Sequence, residues 1–248
     1  MKLSVIIPVF NEVNTVAEVI RRVMAVKLDL EREIIVVDDG STDGTTEVLR
    51  QLQSALAPEE QGVLLCHFAT RNQGKGYALR RGLAVAAGDI VLFQDADLEL
   101  DPGEYPALLG PILTGETDVV FGRRSYWSVP DTRLSSRLAN GLLAALTTLL
   151  YGQVILDMET AYKVMRRGAV HPLKLVSDGF EIEPELTAKL RLTGQRILEV
   201  PIHYEPRTVA EGKKMRWRDG FIAIWTLLKW RFAPLEQVVA ADEGEQRA

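Results

Sequence analysis

The densest chemistry in the sequence sits at Asp95-Ala96-Asp97, directly after the apolar run Asp89–Gln94 (DIVLFQ). Two carboxylates two residues apart at a strand end repel each other unless a cation offsets their charge. A hard divalent ion, Mg2+ or Mn2+, takes oxygen ligands of this kind and bridges readily to a diphosphate. Glu99 follows two residues on and is placed to complete the set. Read in isolation, the same acids describe a solvated turn that caps Pro102 and a following helix. Their meaning therefore depends on what accompanies them.

Two further clusters accompany them. Pro8-Val9-Phe10-Asn11-Glu12 follows one apolar run and Asp38-Asp39-Gly40-Ser41-Thr42-Asp43-Gly44 follows the next. Acids, a glycine turn and an aromatic at adjacent strand ends can hold a nucleoside. A carboxylate accepts from a base N–H or a ribose hydroxyl while Phe10 lies against the base. Alone, DDGSTDGT is also a good turn followed by a helix cap. The third cluster is Arg71-Asn72-Gln73-Gly74-Lys75-Gly76-Tyr77-Ala78. Glycines ahead of a helix bring backbone N–H groups near an anion, and Lys75 adds charge. The spacing is not that of a P-loop.

The elements that must position these clusters alternate along the chain. Strands are expected at Leu3–Pro8, Glu33–Val37, Val63–Phe68 and Asp89–Gln94, where β-branched apolar runs suit burial on both faces. Helical spacing marks Asn14–Val26, with Val16, Val19, Ile20 and Val23 on one face, then Thr42–Leu56, capped by Ser41 or Thr42, and Gly76–Ala87. Alternation of this kind predicts a parallel sheet with helices on both faces and a ligand crevice at the carboxyl ends of the strands. After Pro102 the pattern loosens. A strand is expected at Val119–Phe121, then a basic polar stretch GRRSYWSVPDTRLSSR. The apolar Leu138–Tyr151 suits a core or interfacial helix, Gly179–Leu192 a helix opening on acids, and Arg196–Pro201 a strand. One domain over residues 1–232 is expected, followed by an acidic, disordered tail over 233–248.

Bulk properties fit an ordinary globular chain: 248 residues, 47% hydrophobic and 25% charged, enough for a substantial core. A net charge of −5 argues against nucleic acid as a partner. Cys66 is the single cysteine, which fits a reducing compartment. The opening MKLSVIIPVFNE lacks the features of a signal peptide and reads as a first strand. No uninterrupted apolar run approaches the roughly 20 residues of a membrane-spanning helix. Near the end, however, Trp217, Trp225 and Trp230 are interleaved with Lys213, Lys214, Arg216, Arg218, Lys229 and Arg231 around the apolar Phe221–Leu228. Basic residues with interfacial aromatics suit a helix lying on an anionic membrane. A core helix with snorkelling cations at its ends is the competing reading.

Taken in order, VIIPVFNE, VVDDGSTDGT, RNQGKGYALRRG and FQDADLELDP closely resemble family 2 glycosyltransferases of the dolichyl-phosphate mannose or glucose synthase-like branch. FGRRS, DMETAYKVMRR, GFEIEPELTAKL, VPIHYEPR and GKKMRWRDG are similar to the same branch, so that the resemblance spans residues 3–232. It implies an α/β, A-type glycosyltransferase fold, a Rossmann-like, mostly parallel sheet with helices on both faces. It further implies inverting transfer of mannose or glucose from a GDP- or UDP-sugar to a polyprenyl phosphate, with Mg2+ or Mn2+ as cofactor. By the same resemblance Pro8, Phe10, Glu12 and Asp39 contact the nucleoside, in a nucleotide-binding half of about residues 1–100. Asp95, Asp97 and Glu99 hold the metal and diphosphate, although relatives often carry Gln at the position of Glu99. Arg124, Arg133 and Ser136 grip the acceptor phosphate in the half from 101 to 232. Thr132 and Arg137 are alternatives to Arg133. Arg207 and Lys214 close over the phosphates. Attachment to the membrane is expected to be peripheral, on the cytoplasmic face.

A phosphate acceptor is already ionised and needs little general-base help, and cationic groups with the metal stabilise the departing diphosphate. A hydroxyl acceptor, the second reading, requires a carboxylate base. Candidates are Asp157, Glu159, Glu181 and Glu183, while Glu181, Glu183 and Glu185 also suit a helix N-terminus. His67, His171 and His203 do not have metal-site spacing, and His203, in PIHYEPR, is expected near the pocket. A third reading, a sugar-nucleotide-binding partner without activity, is opposed by the intact Asp95, Asp97 and basic closing residues.

Overall fold

The computed structural model describes residues 1–56, 63–124, 134–206 and 217–240. Its first half is built on four parallel strands, β1 (Lys2–Val9), β2 (Glu31–Asp38), β3 (Leu64–Phe68) and β4 (Ile90–Phe93). The apolar runs are continuous because both faces are covered. Leu3, Val5 and Ile7 enter one core while Ile6 enters the other. Helix α1 (Val16–Ala25) buries the Val16, Val19, Ile20 and Val23 stripe read from the sequence. Helices α2 (Thr45–Ala55) and α3 (Lys75–Val85) complete this half.

Beyond it come α4 (Tyr105–Leu113), β5 (Val119–Arg124), α5 (Leu134–Tyr151), β6 (Lys163–Arg166) and α6 (Arg167–Val170). They are followed by α7 (Ile182–Leu192), β7 (Ile197–Ile202), α8 (Trp217–Arg231) and α9 (Leu235–Val238). The seven strands form one sheet in the order β3-β2-β1-β4-β6-β5-β7. Only β6 runs against its neighbours, pairing antiparallel with both β4 and β5. Leu49 of α2 and Leu108 of α4 pack with the α1 side of the sheet, and Leu143 of α5, Leu186 of α7 and Leu227 of α8 with the other.

Three details depart from the sequence reading. Helix α2 starts at Thr45 rather than Thr42, with no side-chain cap. Ser41 Oγ and the Thr42 N–H are used on Asn11 instead, at 2.9 Å each, which holds 39–44 as a loop. Strand β6 was not expected, since four residues carry too short a pattern to read. The tail does not begin at Ala233. Val238 of α9 is buried, and Val239 bridges to Leu173. Its apolar Val238 and Val239 dock on the core where the acidic composition suggested disorder. Residues 241–248 lie outside the described residues.

Candidate functional site

The loops at the carboxyl ends of β1, β2 and β3 are tied to one another by side chains. The Glu12 N–H donates to Thr45 Oγ1 at 2.9 Å, and Glu12 Oε2 accepts from Thr15 Oγ1 at 2.9 Å. Pro8 and Phe10 are half-buried beside them. Asp39, 2% exposed, accepts the N–H groups of Gln73 at 3.0 Å and Gly74 at 2.6 Å. Burial raises its pKa, against the pull of those two amides. The sequence reading gave Asp39 to the nucleoside; the structure shows it fastening the Gln73-Gly74 loop. Gly74 itself is obligatory. Its φ is +110°, and a Cβ there would lie 2.3 Å from the carbonyl oxygen of Asp178.

Gln94 anchors the acidic motif after β4. Its buried Oε1 accepts from Tyr105 and Tyr162, both at 2.8 Å, and its Nε2 donates to the Asp95 carbonyl at 3.0 Å. Lys75 was expected to stand ready for an anion. Its ammonium is instead clasped by Asp95 at 2.8 Å and Glu183 at 3.0 Å. Burial alone would lower the Lys75 pKa, but the two carboxylates outweigh it and hold the group charged above the ordinary lysine range. Glu183 also pairs with the fully buried Lys163. Four charges of alternating sign therefore run Asp95–Lys75–Glu183–Lys163 beneath the site.

Asp97 Oδ1 accepts the Glu99 N–H at 3.2 Å, and Glu99 bonds to Tyr204, whose pKa burial and that carboxylate push up to about 12. Among the described residues no three His, Cys, Asp or Glu side chains converge as a metal cage. Of the expected trio of Asp95, Asp97 and Glu99, Asp95 leans to Lys75 and Glu99 to Tyr204. Two half-buried carboxylates at the crevice edge still suit Mg2+ or Mn2+. Such an ion takes its remaining oxygens from phosphate and water and needs only one or two from protein.

Arg124, at the end of β5, is gripped bidentately by Asp157 at 2.8 Å through both Nε and Nη2, and lies 5.2 Å over the Tyr204 ring. Asp157 was a candidate base; the structure makes it the group that orients Arg124. Glu199 in turn accepts the Asp157 N–H at 2.9 Å. Glu181 accepts only the nearby Gly179 N–H among the described contacts. His203 is exposed beside Glu205, at 3.1 Å, rather than lining the crevice. Arg133, Arg207 and Lys214 lie outside the described residues, as does the side chain of Ser136 on α5. Tyr204, Lys163 and Glu199 were missed. The signal for Lys163 was a lone cation inside the apolar AYKVM.

Among the described residues no helix is long and apolar enough to cross a membrane. The family described as glycosyl transferase family 2 matches residues 4–173. Glucosyl-3-phosphoglycerate synthase from Mycobacterium tuberculosis, solved with phosphoglyceric acid, is 27% identical with a TM-score of 0.67, covering 94% of this chain and 81% of that one. The same enzyme with Mn2+, uridine-diphosphate-glucose and phosphoglyceric acid is 27% identical, TM-score 0.66, over 94% and 80%. With Mg2+ and uridine-diphosphate the values are 28%, 0.67, 94% and 80%.

Proposed function

The chain belongs to glycosyl transferase family 2 and has its A-type fold, and on that premise we propose that it transfers a hexose from a UDP-sugar to a polyprenyl phosphate at a membrane surface. An oxygen of the acceptor phosphate attacks the anomeric carbon from the face opposite the leaving group. The bond from that carbon to the diphosphate oxygen breaks, and UDP leaves with the electron pair. A bound Mg2+ or Mn2+, held by Asp97 with Asp95, would supply Lewis-acid stabilisation of the charge on the departing diphosphate. Lys75 fixes Asp95 from beneath, and Asp157 fixes the direction of the Arg124 guanidinium, a group suited to phosphate.

One observation carries the choice of a lipid acceptor. Helices α5 and α8 pack together, with Tyr151 Oη donating to the Leu227 carbonyl at 2.6 Å. Each turns an apolar stripe outward, Leu142 and Leu149 on one, Phe221 and Trp225 on the other, with Phe232 just beyond. Leu149 is 81% exposed, Trp225 67% and Phe232 79%. Exposed Lys229 and Arg231 adjoin them. Clustered apolar exposure beside cations fits an anionic membrane, where a polyprenyl chain resides. Helix α5 carries Ser136, which the resemblance gives to the acceptor phosphate, and α8 follows the segment of Arg207 and Lys214, which it places over the phosphates.

A second reading takes phosphoglycerate as the acceptor, on the strength of the neighbours solved with it. Both acceptors present a phosphate monoester. The test supplies UDP-[14C]glucose and Mn2+ with either polyprenyl phosphate in anionic vesicles or phosphoglycerate in solution. Label extracted into organic solvent supports the proposal. Label found only on phosphoglycerate overturns it.

A further inference from the structure

Glu159 is the charged group that neither the donor end nor the Arg124 pair absorbs. It lies in the turn between α5 and β6, and Lys163 curls that turn around itself. The ammonium donates to the carbonyls of Met158 at 2.9 Å and Thr160 at 2.5 Å, the residues on either side of Glu159. Among the described residues four charged groups act on the Glu159 carboxyl: Arg124 of β5, Asp157 of the same turn, Lys163 of β6 and Glu183 of α7. Each cation among them already has a nearer carboxylate, Arg124 that of Asp157 and Lys163 that of Glu183. Lys75 is likewise occupied, by Asp95 and Glu183. Glu159 Oε1 is buried and makes no hydrogen bond among the described residues, while the residue as a whole is only half-buried and so borders solvent.

An acid so placed either keeps a proton or meets a partner that comes from outside. Burial first, and then the negative charge of Glu183, push its pKa up to about 7, against the pull of Lys163 and Arg124. Its position matters as much. Both Arg124, which the proposal gives to the acceptor phosphate, and Glu183, which pairs with Lys75 beneath Asp95, lie close enough to act on it.

We propose that Glu159 is an acceptor-binding residue: as the neutral acid it donates a hydrogen bond to an oxygen of the acceptor's phosphate beside Arg124, and as the carboxylate it repels that phosphate. This rests on the reading of a phosphate-bearing acceptor and holds whether that phosphate is lipid-borne or free. The sign follows directly. Below pH 7 the donor is present and the acceptor binds. Above it the proton is lost, a second anion faces the phosphate, and the acceptor KM rises.

The test is the pH profile of acceptor KM and of kcat between pH 5.5 and 8.5, on the full chain with Mn2+ and UDP-glucose, run separately with polyprenyl phosphate in vesicles and with phosphoglycerate. In the wild type the acceptor KM should climb by up to about tenfold per pH unit above about pH 7, the slope for loss of one proton. Glu159→Gln retains a neutral donor, so its KM should lack that limb while the donor KM stays as in wild type. Glu159→Ala should show a raised KM at every pH. The acceptor's own ionisation is common to all three proteins, so the difference between profiles isolates Glu159. If either acceptor is glycosylated and Glu159→Gln keeps the alkaline limb, the inference falls while the phosphate reading stands. If neither acceptor is glycosylated, both fall.

Discussion

Among the described residues the donor end of the crevice is closed on itself, whereas the proposed acceptor end borders helices that keep apolar side chains exposed. At the donor end the loops after β1, β2 and β3 are linked through Asn11, Ser41, Thr45 and Asp39, and the Lys75 ammonium is spent on two carboxylates. Such a site is organised before any ligand arrives, which suits a small, polar, charged donor whose shape does not vary. On the proposed acceptor side Arg124 is aimed by Asp157, and α5 and α8 keep Leu142, Leu149 and Trp225 largely exposed. Under the proposed function the contrast means that the two substrates are recognised by different physics, fixed dipoles and charges for the donor and surface burial for a lipid acceptor.

The sharpest way to break the contrast is Asp97→Ala. Loss of a group that stabilises the leaving diphosphate should lower kcat by about 10²- to 10³-fold, measured at saturating donor across a Mn2+ titration, with the melting temperature little changed. Activity that persists would mean that the donor end is not organised around this acid. An effect of comparable size belongs to stability. Lys189 and Glu185 form a fully buried pair at 2.7 Å, and the ammonium lies 3.5 Å over the Trp230 ring. Lys189→Ala leaves the Glu185 carboxylate without its cation, and removing one partner of such a pair costs about 3–5 kcal/mol, read as a shift in the urea midpoint. That pair also braces the donor loop from behind, since Glu185 accepts the Val176 and Ser177 N–H groups and the adjoining Asp178 carbonyl accepts the Tyr77 N–H.

A smaller effect separates positioning from contact. Lys75→Met leaves Asp95 and Glu183 without their shared cation, and the donor KM should rise by about tenfold, roughly 1.4 kcal/mol, with the acceptor KM steady. An equal rise in both would tie the two ends together more closely than their construction suggests. Smallest in the folded protein, and most telling for the open end, is Phe221→Ser with Trp225→Ser. Exposed positions away from the core should change stability by no more than about 0.5 kcal/mol, while flotation with anionic vesicles and transfer to vesicle-borne acceptor should be lost. Unchanged flotation would remove the membrane from the account.

Much of the donor end was legible in the chain. The strand ends, the glycine turns and the Asp95–Asp97 motif all lie within runs of about ten residues, and their local pattern states both the element and its polar terminus. The α1 stripe was readable for the same reason. The acceptor end was less so. Tyr204 passed unnoticed beside His203, although the tyrosine faces Arg124 and the histidine faces solvent. Side chains alternate sides along an extended chain, but only packing says which side holds the site. Helix α9 was hidden by the acidity of the residues that follow it.

What the sequence determined by itself was the order of strands and helices, the ends at which polar groups gather, and the family to which these motifs belong. Those properties are local, set by periodicity and backbone preference over a few turns. What only the tertiary structure decided was partnership. Lys75 meets Glu183, and Arg124 meets Asp157, across long stretches of chain. Asp39 joins two loops, and Glu159 is left without a partner among the described residues. A charge leaving water must be offset by whichever group the fold brings within reach, and that neighbour is chosen by the packing of distant elements, not by the residues on either side.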